Sequence, residues 1–212
     1  YTFLVGVTHH GVELPAVYKP AQGERPLWDF DQGTLSAREV AAYVTSHALG
    51  WDFVPPTVLR PNGPAGPGSL QLFVEADPER HYFTFSQAEK QQLRPVAVFD
   101  ALINNADRKG GHVLLAPDGR LWLIDHGLCF HVEEKLRTVI WDFAGEPIPD
   151  GLKQDLIRFR DGLAGDIRLK TLYDPLLSEE ELEALSVRLE RLLAHGRFPM
   201  PNSERPYPWP LV

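Results

Sequence analysis

The sequence predicts an α+β fold in two lobes: a small one built on a sheet with one helix, and a larger, mostly helical one that contains a β-hairpin. Three observations predict it. Up to residue 75, short apolar runs with strand character surround a single helical stretch. From residue 86 onward the periodic stretches are helical. Between Asn104 and His131 lies an apolar run His-Val-Leu-Leu-Ala, a Pro-Asp-Gly turn and a returning run Leu-Trp-Leu-Ile, which is the signature of a tight hairpin. The expected lobes are therefore residues 1–75 and 76–212.

Taken in order, TFLVGV and ELPAVYKP read as two strands joined by a turn at His9, His10 and Gly11, with Pro20 ending the ladder. Residues 20–34 are polar and form a loop, in which Trp28 and Phe30 are expected to pack on something. SAREVAAYVTSHAL (36–49) is a helix with Ser36 as N-cap. Glu39 stands where the acid of a capping box would, so its position has a purely local explanation. Residues 53–69 read as a proline-rich loop leading to the strand GSLQLFVEAD, which stops at Glu75-Ala76-Asp77. Residues 86–105 look helical, with an apolar stripe through Val96, Phe99, Leu102 and Ile103. LKQDLIRFRDGLA (152–164) and SEEELEALSVRLERLLAHG (178–196) are helices, the second capped by Ser178 and ended by Gly196. The proline- and aromatic-rich tail from residue 197 has no period and is expected to strap the C-terminal lobe.

Composition bounds the function. The net charge of −8 argues against duplex nucleic acid as a partner, which needs a basic face. No run approaches the ~20 apolar residues of a membrane span. The lone cysteine, Cys129, excludes an internal disulfide and suits a reducing cytoplasm. The chain opens at Tyr1, already within a strand pattern, so a preceding segment is expected. The hairpin would bring Asp107 and Asp125, which flank it, side by side. Carboxylates forced together in this way hold a divalent cation or share proton transfer.

Four pieces stand in order: VYKP (17–20), GSLQLFVE (68–75), NNADRKGGH (104–112) and IDHGLCF (124–130). Together with SAREVAAY they resemble the phosphatidylinositol 3-/4-kinase-like family, nearest to the type II phosphatidylinositol 4-kinases and their bacterial relatives, with HipA-type kinases as more distant cousins. The resemblance implies a protein-kinase-like fold and ATP-dependent phosphoryl transfer with Mg²⁺ or Mn²⁺. It implies that Lys19 contacts the ATP phosphates and pairs with Glu39. It makes Gln71 to Glu75 the hinge, with backbone near Phe73, Val74 and Glu75 on the adenine edge. Asp107 becomes the catalytic acid/base and Asp125 the metal ligand of an Asp-His-Gly.

The sequence departs from the pattern at His112, which stands where the family has a metal-binding Asn. His112 either ligates metal beside Asp125, Mn²⁺ suiting imidazole better than Mg²⁺, or only hydrogen-bonds within its loop. The phosphate loop of the family either precedes Tyr1 or is the His9-His10-Gly11 turn. The acceptor is a hydroxyl of a small molecule, an inositol-type headgroup or a protein. The one segment suited to a membrane surface, HVEEKLRTVIWDF, balances its bases with acids and favours a soluble acceptor. A pseudokinase, acting as a nucleotide-binding or interaction module, is the alternative.

Overall fold

A computed structural model describes residues 1–201 and 204–212. The N-terminal lobe is a four-stranded antiparallel sheet. β1 (Phe3–His9) and β2 (Val12–Pro20) form a hairpin, and β3 (Thr57–Gly63) and β4 (Gly66–Leu72) form a second. The strand order is β1-β2-β4-β3. One helix, α1 (Leu35–Ala48), crosses from β2 to β3 and packs on β3 and β4.

Register places Lys19 opposite Ser69 on β4. The His9-His10-Gly11 turn closes the other end of the first hairpin, roughly 20 Å along the strands from Lys19. That turn lies far from Lys19, whereas Tyr1 and Thr2 lie beside Lys19 and the turn at Gly23.

Four local expectations are corrected. Residues 57–63, read as loop, form an edge strand that tolerates Pro61 because its pairing shifts between Arg60 and Gly63. β4 ends at Leu72 rather than at Glu75, since the last ladder bond runs from Phe73 N–H to the Pro15 carbonyl. The helix expected over 86–105 divides into α2 (Gln87–Gln91) and α3 (Arg94–Ile103), with Pro95 at the start of the second. Trp28 is 90% exposed, although Phe30 is buried as expected.

The larger lobe follows. After α3 the chain turns at Asn104 (φ 54°) into the loop before the hairpin β5 (Val113–Leu115) and β6 (Leu121–Leu123). α4 (Asp150–Gly165), a short unanticipated α5 (Ile167–Tyr173) and α6 (Glu179–His195) complete it, with α6 capped at Ser178 and Gly196 as expected. One apolar core runs from Val40 and Val44 of α1 through Phe99, Leu102 and Phe130 to Phe159 and Leu189. Among the described residues, no helix is long and apolar enough to cross a membrane.

Two buried arginines tie this frame together. Arg38 of α1 donates to the Cys129 carbonyl (2.6 Å) and pairs with Glu181 of α6, bolting the small lobe's helix to the large lobe. Arg108 pairs with Asp100 of α3, both side chains fully buried, through Nε (3.0 Å) and Nη2 (2.9 Å). The same guanidinium donates to the Ile124 carbonyl (3.1 Å) and to His126 Nε2 (2.8 Å). Breaking a fully buried pair strands a charge and costs about 3–5 kcal/mol. Arg108→Met should therefore lower unfolding free energy by about that much, as read by urea denaturation; a loss below about 1 kcal/mol would contradict the assigned role.

Candidate active site

A cavity of about 1010 Å³ lies between the lobes. Lys19, Glu39, Asp107 and Asp125 all line it, and they arrive from four separate segments. β2 delivers Lys19 at its end, where the strand lies over the larger lobe. α1 delivers Glu39. The local explanation of Glu39 does not hold, because Thr34 occupies the N-cap position without a side-chain cap and the Ser36 hydroxyl donates to the Lys19 carbonyl instead. Glu39 Oε1 accepts from the Lys19 ammonium, and Oε2 accepts from the His126 backbone N–H (3.0 Å). A helix of one lobe thus holds the lysine of its sheet and the backbone just past Asp125.

Gly127 shows how closely these parts meet. A Cβ at Gly127 would lie 3.3 Å from the Leu35 Cβ and 3.9 Å from Glu39 Oε1, so a larger residue would press on α1. Asp125 itself adopts φ 62°, a left-handed backbone that Asp tolerates better than most residues and that turns its carboxylate into the cleft.

The Asp125 carboxylate is gripped on both oxygens, with Oδ1 2.9 Å from Lys19 Nζ and Oδ2 3.3 Å from His112 Nε2. Burial alone would raise its pKa, but the neighbouring groups, Lys19 foremost, together outweigh burial and hold it at about 2. Burial would lower the Lys19 ammonium, yet Glu39 and Asp125 outweigh it and raise Lys19 above the usual lysine value. Burial raises Asp107 above the usual carboxylate range, against the pull of Lys109, whose Nζ lies 3.1 Å from Oδ2. Two acids of the same type are thereby set apart, one fully ionised and one with greater proton affinity.

His112 is neutral: burial lowers its pKa to about 4, although Asp125 opposes the shift. Its Nδ1 accepts from the Lys109 backbone N–H (3.4 Å), which leaves the ring proton on Nε2, facing Asp125. In this tautomer the Nε2 edge of the ring faces the Asp125 carboxylate across 3.3 Å. Mg²⁺ needs only one or two carboxylates when phosphates supply further oxygens, and the half-exposed Asp125 meets that requirement from the protein side. Among the described residues, no three His, Cys, Asp or Glu side chains are grouped as a metal cage of their own.

The expected hinge lies off this cavity. Gln71 is buried in the sheet with its amide on Thr57 Oγ1 (2.8 Å), and the Phe73 N–H is taken by the Pro15 carbonyl. Val74 and Glu75 follow, outside the ladder. Several groups escaped the sequence reading. Asn104 fastens the chain after α3 by donating to the His131 (3.0 Å) and Glu133 (2.6 Å) carbonyls, and an Asn after an apolar helix was a usable signal for a left-handed stop. Arg108 adjoins Asp107 in sequence but carried no sign of burial. Arg137 and, from the tail, Arg205 and Tyr207 line the cleft without any periodic cue.

Comparison with known proteins adds relatives. The family model described as phosphatidylinositol 3- and 4-kinase matches residues 38–185. The chain is 43% identical to Protein Rv2133c of Mycobacterium tuberculosis, over 99% of this chain and 87% of that one. It is 32% identical to phosphatidylinositol 4-kinase gamma 4 of rice (Oryza sativa subsp. japonica) over 54% of this chain and 24% of that protein. The Arabidopsis thaliana protein of the same name is 35% identical over 46% and 22%. The chain thus spans about a quarter of the plant proteins' length. Among solved structures, hydra Fam20 with sugar aligns at a TM-score of 0.47 with 15% identity, over 91% of this chain and 80% of that one.

The buried imidazole has a consequence for acid stability. Unfolded, His112 takes up a proton near pH 6.5; folded, it does so near pH 4. Between these values the unfolded state binds more protons, so stability should fall as pH drops from 6.5 to 4. Denaturant unfolding at several pH values should show a shallower acid slope in His112→Asn than in the native chain. Equal slopes would contradict this assignment.

Proposed function

Since the chain belongs to the phosphatidylinositol 3- and 4-kinase family, we propose that it is an ATP-dependent phosphotransferase that moves the γ-phosphoryl group to an alcohol oxygen. The observation that supports this most is the convergence of Lys19, Glu39, Asp107 and Asp125 on one cleft, with the two aspartates in unlike electrostatic settings. In this reading residues 1–75 are the ATP-binding lobe and residues 76–212 the catalytic lobe.

Phosphoryl transfer depends mainly on positioning and on charge stabilisation. Lys19, oriented by Glu39, contacts the nucleotide phosphates. Backbone at Val74 and Glu75, beyond the edge of the lined cavity and with Phe73 and Gln71 behind it, receives the adenine edge. Asp107 orients the acceptor hydroxyl and accepts its proton as the acceptor oxygen bonds to Pγ. The bond from Pγ to the bridging oxygen breaks, and ADP leaves with that electron pair. Asp125 would hold the Mg²⁺ or Mn²⁺ that neutralises charge on the phosphates. His112, with Nε2 3.3 Å from Asp125, either joins Asp125 in holding the metal or stays hydrogen-bonded within its loop. Both substrates are taken to be cytoplasmic, and a small soluble acceptor fits the acidic chain better than a membrane or nucleic acid.

One observation favours a second reading. Both oxygens of Asp125 are engaged by Lys19 and His112, and a site fixed in that state would make the chain a pseudokinase that binds nucleotide without transfer. Transfer of label from γ-labelled ATP into a cell extract, separated into lipid, protein and small-molecule fractions, decides between them. Label should enter one fraction and vanish with Asp125→Ala. Asp107→Asn should slow transfer by about 10²–10⁴-fold while nucleotide affinity holds. Undiminished turnover in both variants would sink the site assignment, and nucleotide binding with no labelled product would favour the pseudokinase.

A further inference from the structure

The cleft contains charge that the transfer chemistry leaves unused. Four acids line it, and each is already engaged. Glu24 accepts from the backbone N–H groups of Gly33 (2.7 Å) and Ser36 (3.3 Å), Glu39 and Asp125 share Lys19, and Asp107 faces Lys109. Arg25, Arg137 and Arg205 line the same cavity, and among the described residues none of them forms an ion pair. In a chain with 29 acids against 21 Lys and Arg, three guanidiniums without carboxylates in one cavity are an uncommon grouping.

Backbone pairing puts one of them beside the reaction. The Arg137 N–H donates to the Asn105 carbonyl (2.9 Å), and its carbonyl accepts from Arg108 N–H (3.0 Å), so Arg137 flanks Asp107 directly. A second comes from the C-terminal strap, which is fastened to the same region. Pro206 accepts from Thr138 N–H (3.1 Å) and from the Trp141 indole (3.2 Å). Further along, the Leu211 carbonyl accepts from Gly110 N–H (2.7 Å). The strap passes so near that a Cβ on Gly110 would lie 3.5 Å from the Leu211 oxygen. Arg205 is therefore held on the Asp107 side of the cleft, and Trp209, 88% exposed, lines the same cavity.

We propose that Arg137 and Arg205 form an anion subsite on the acceptor side of the cleft, with Arg25 in the same cavity adding positive charge. Its ligand is the phosphate group of a phosphorylated sugar or polyol whose free hydroxyl faces Asp107. Guanidinium is the side chain best matched to phosphate, through paired N–H donors in one plane. The exposed face of Trp209 gives a sugar ring an apolar surface to lie on. The C-terminal strap is then part of the specificity machinery. This inference rests on the phosphotransferase reading for the role of Asp107, whereas the binding of an anion does not.

The test is titration calorimetry on the full chain saturated with Mg²⁺ and a non-hydrolysable ATP analogue, which fills the nucleotide phosphate site. The probes are inorganic phosphate, glucose 6-phosphate and glucose. In a parallel sedimentation assay they are phosphatidylcholine vesicles with and without an anionic phospholipid. Glucose 6-phosphate should bind and glucose should not. Arg137→Gln and Arg205→Gln should each weaken binding about tenfold or more, with analogue affinity and circular dichroism unchanged. Binding of the anionic vesicles alone would keep the phosphate subsite but assign the group to a lipid headgroup. Absence of anion binding in both formats, or binding untouched by both substitutions, would overturn the proposal. Failure of the analogue to bind would instead strike at the phosphotransferase reading, and the anion titration would still report on the arginines.

Discussion

The structure turns on one buried ion pair. Arg108 and Asp100 are both fully enclosed, and the guanidinium spends its remaining donors on the Ile124 carbonyl and on His126. Thr138 and Asn105 add hydrogen bonds to the same Asp100 carboxylate (3.3 and 3.1 Å). Every segment that forms the floor of the cleft therefore reports to a single charge on α3. Asp107 precedes this arginine in sequence and Asp125 follows Ile124, so the separation of the two acids is set by a buried group outside the cleft lining. A buried pair is weak evidence for net stability, since its desolvation offsets much of the attraction. Its value here is geometric.

Above that floor the charges interlock. Lys19 lies between Glu39 and Asp125, so a lysine from the sheet, an acid from α1 and an acid after β6 form one row. The row keeps the Asp125 carboxylate ionised to low pH while burial raises its neighbour Asp107. His112 adds a neutral imidazole at the end of the row. A neutral imidazole fixed by the Lys109 backbone does less to the local charge than a cation would.

What was legible in the sequence follows the range of the forces involved. The β5–β6 hairpin and helices α4 and α6 were readable because period, turn residues and caps act over a few positions. Strand β3 was hidden by Pro61, which reads as loop unless the strand is known to be an edge with shifted pairing. Glu39 was ambiguous for a physical reason: Ser36 stands three positions earlier, where a capping serine would, and only tertiary packing redirected the acid towards Lys19. The pairing of Asp107 with Asp125 was legible from the hairpin that they flank, whereas the arrival of Lys19 was legible only through the order of motifs. The part of the cleft formed by the tail was not legible at all, because an irregular segment held by Pro206 and Leu211 carbonyls leaves no pattern in its own residues.

The Arg38 link between α1 and α6 has a consequence for how such a molecule could be controlled. Swinging α1 outward would strip this buried guanidinium of both Glu181 and the Cys129 carbonyl, and would release Glu39 from His126. At about 3–5 kcal/mol for a stranded buried charge, the displaced arrangement would be populated by on the order of one molecule in a hundred or fewer. The cleft is thus assembled at rest. Control by swinging α1 would have to supply the energy to strip Arg38 of these partners, whereas control over what enters the cleft would not.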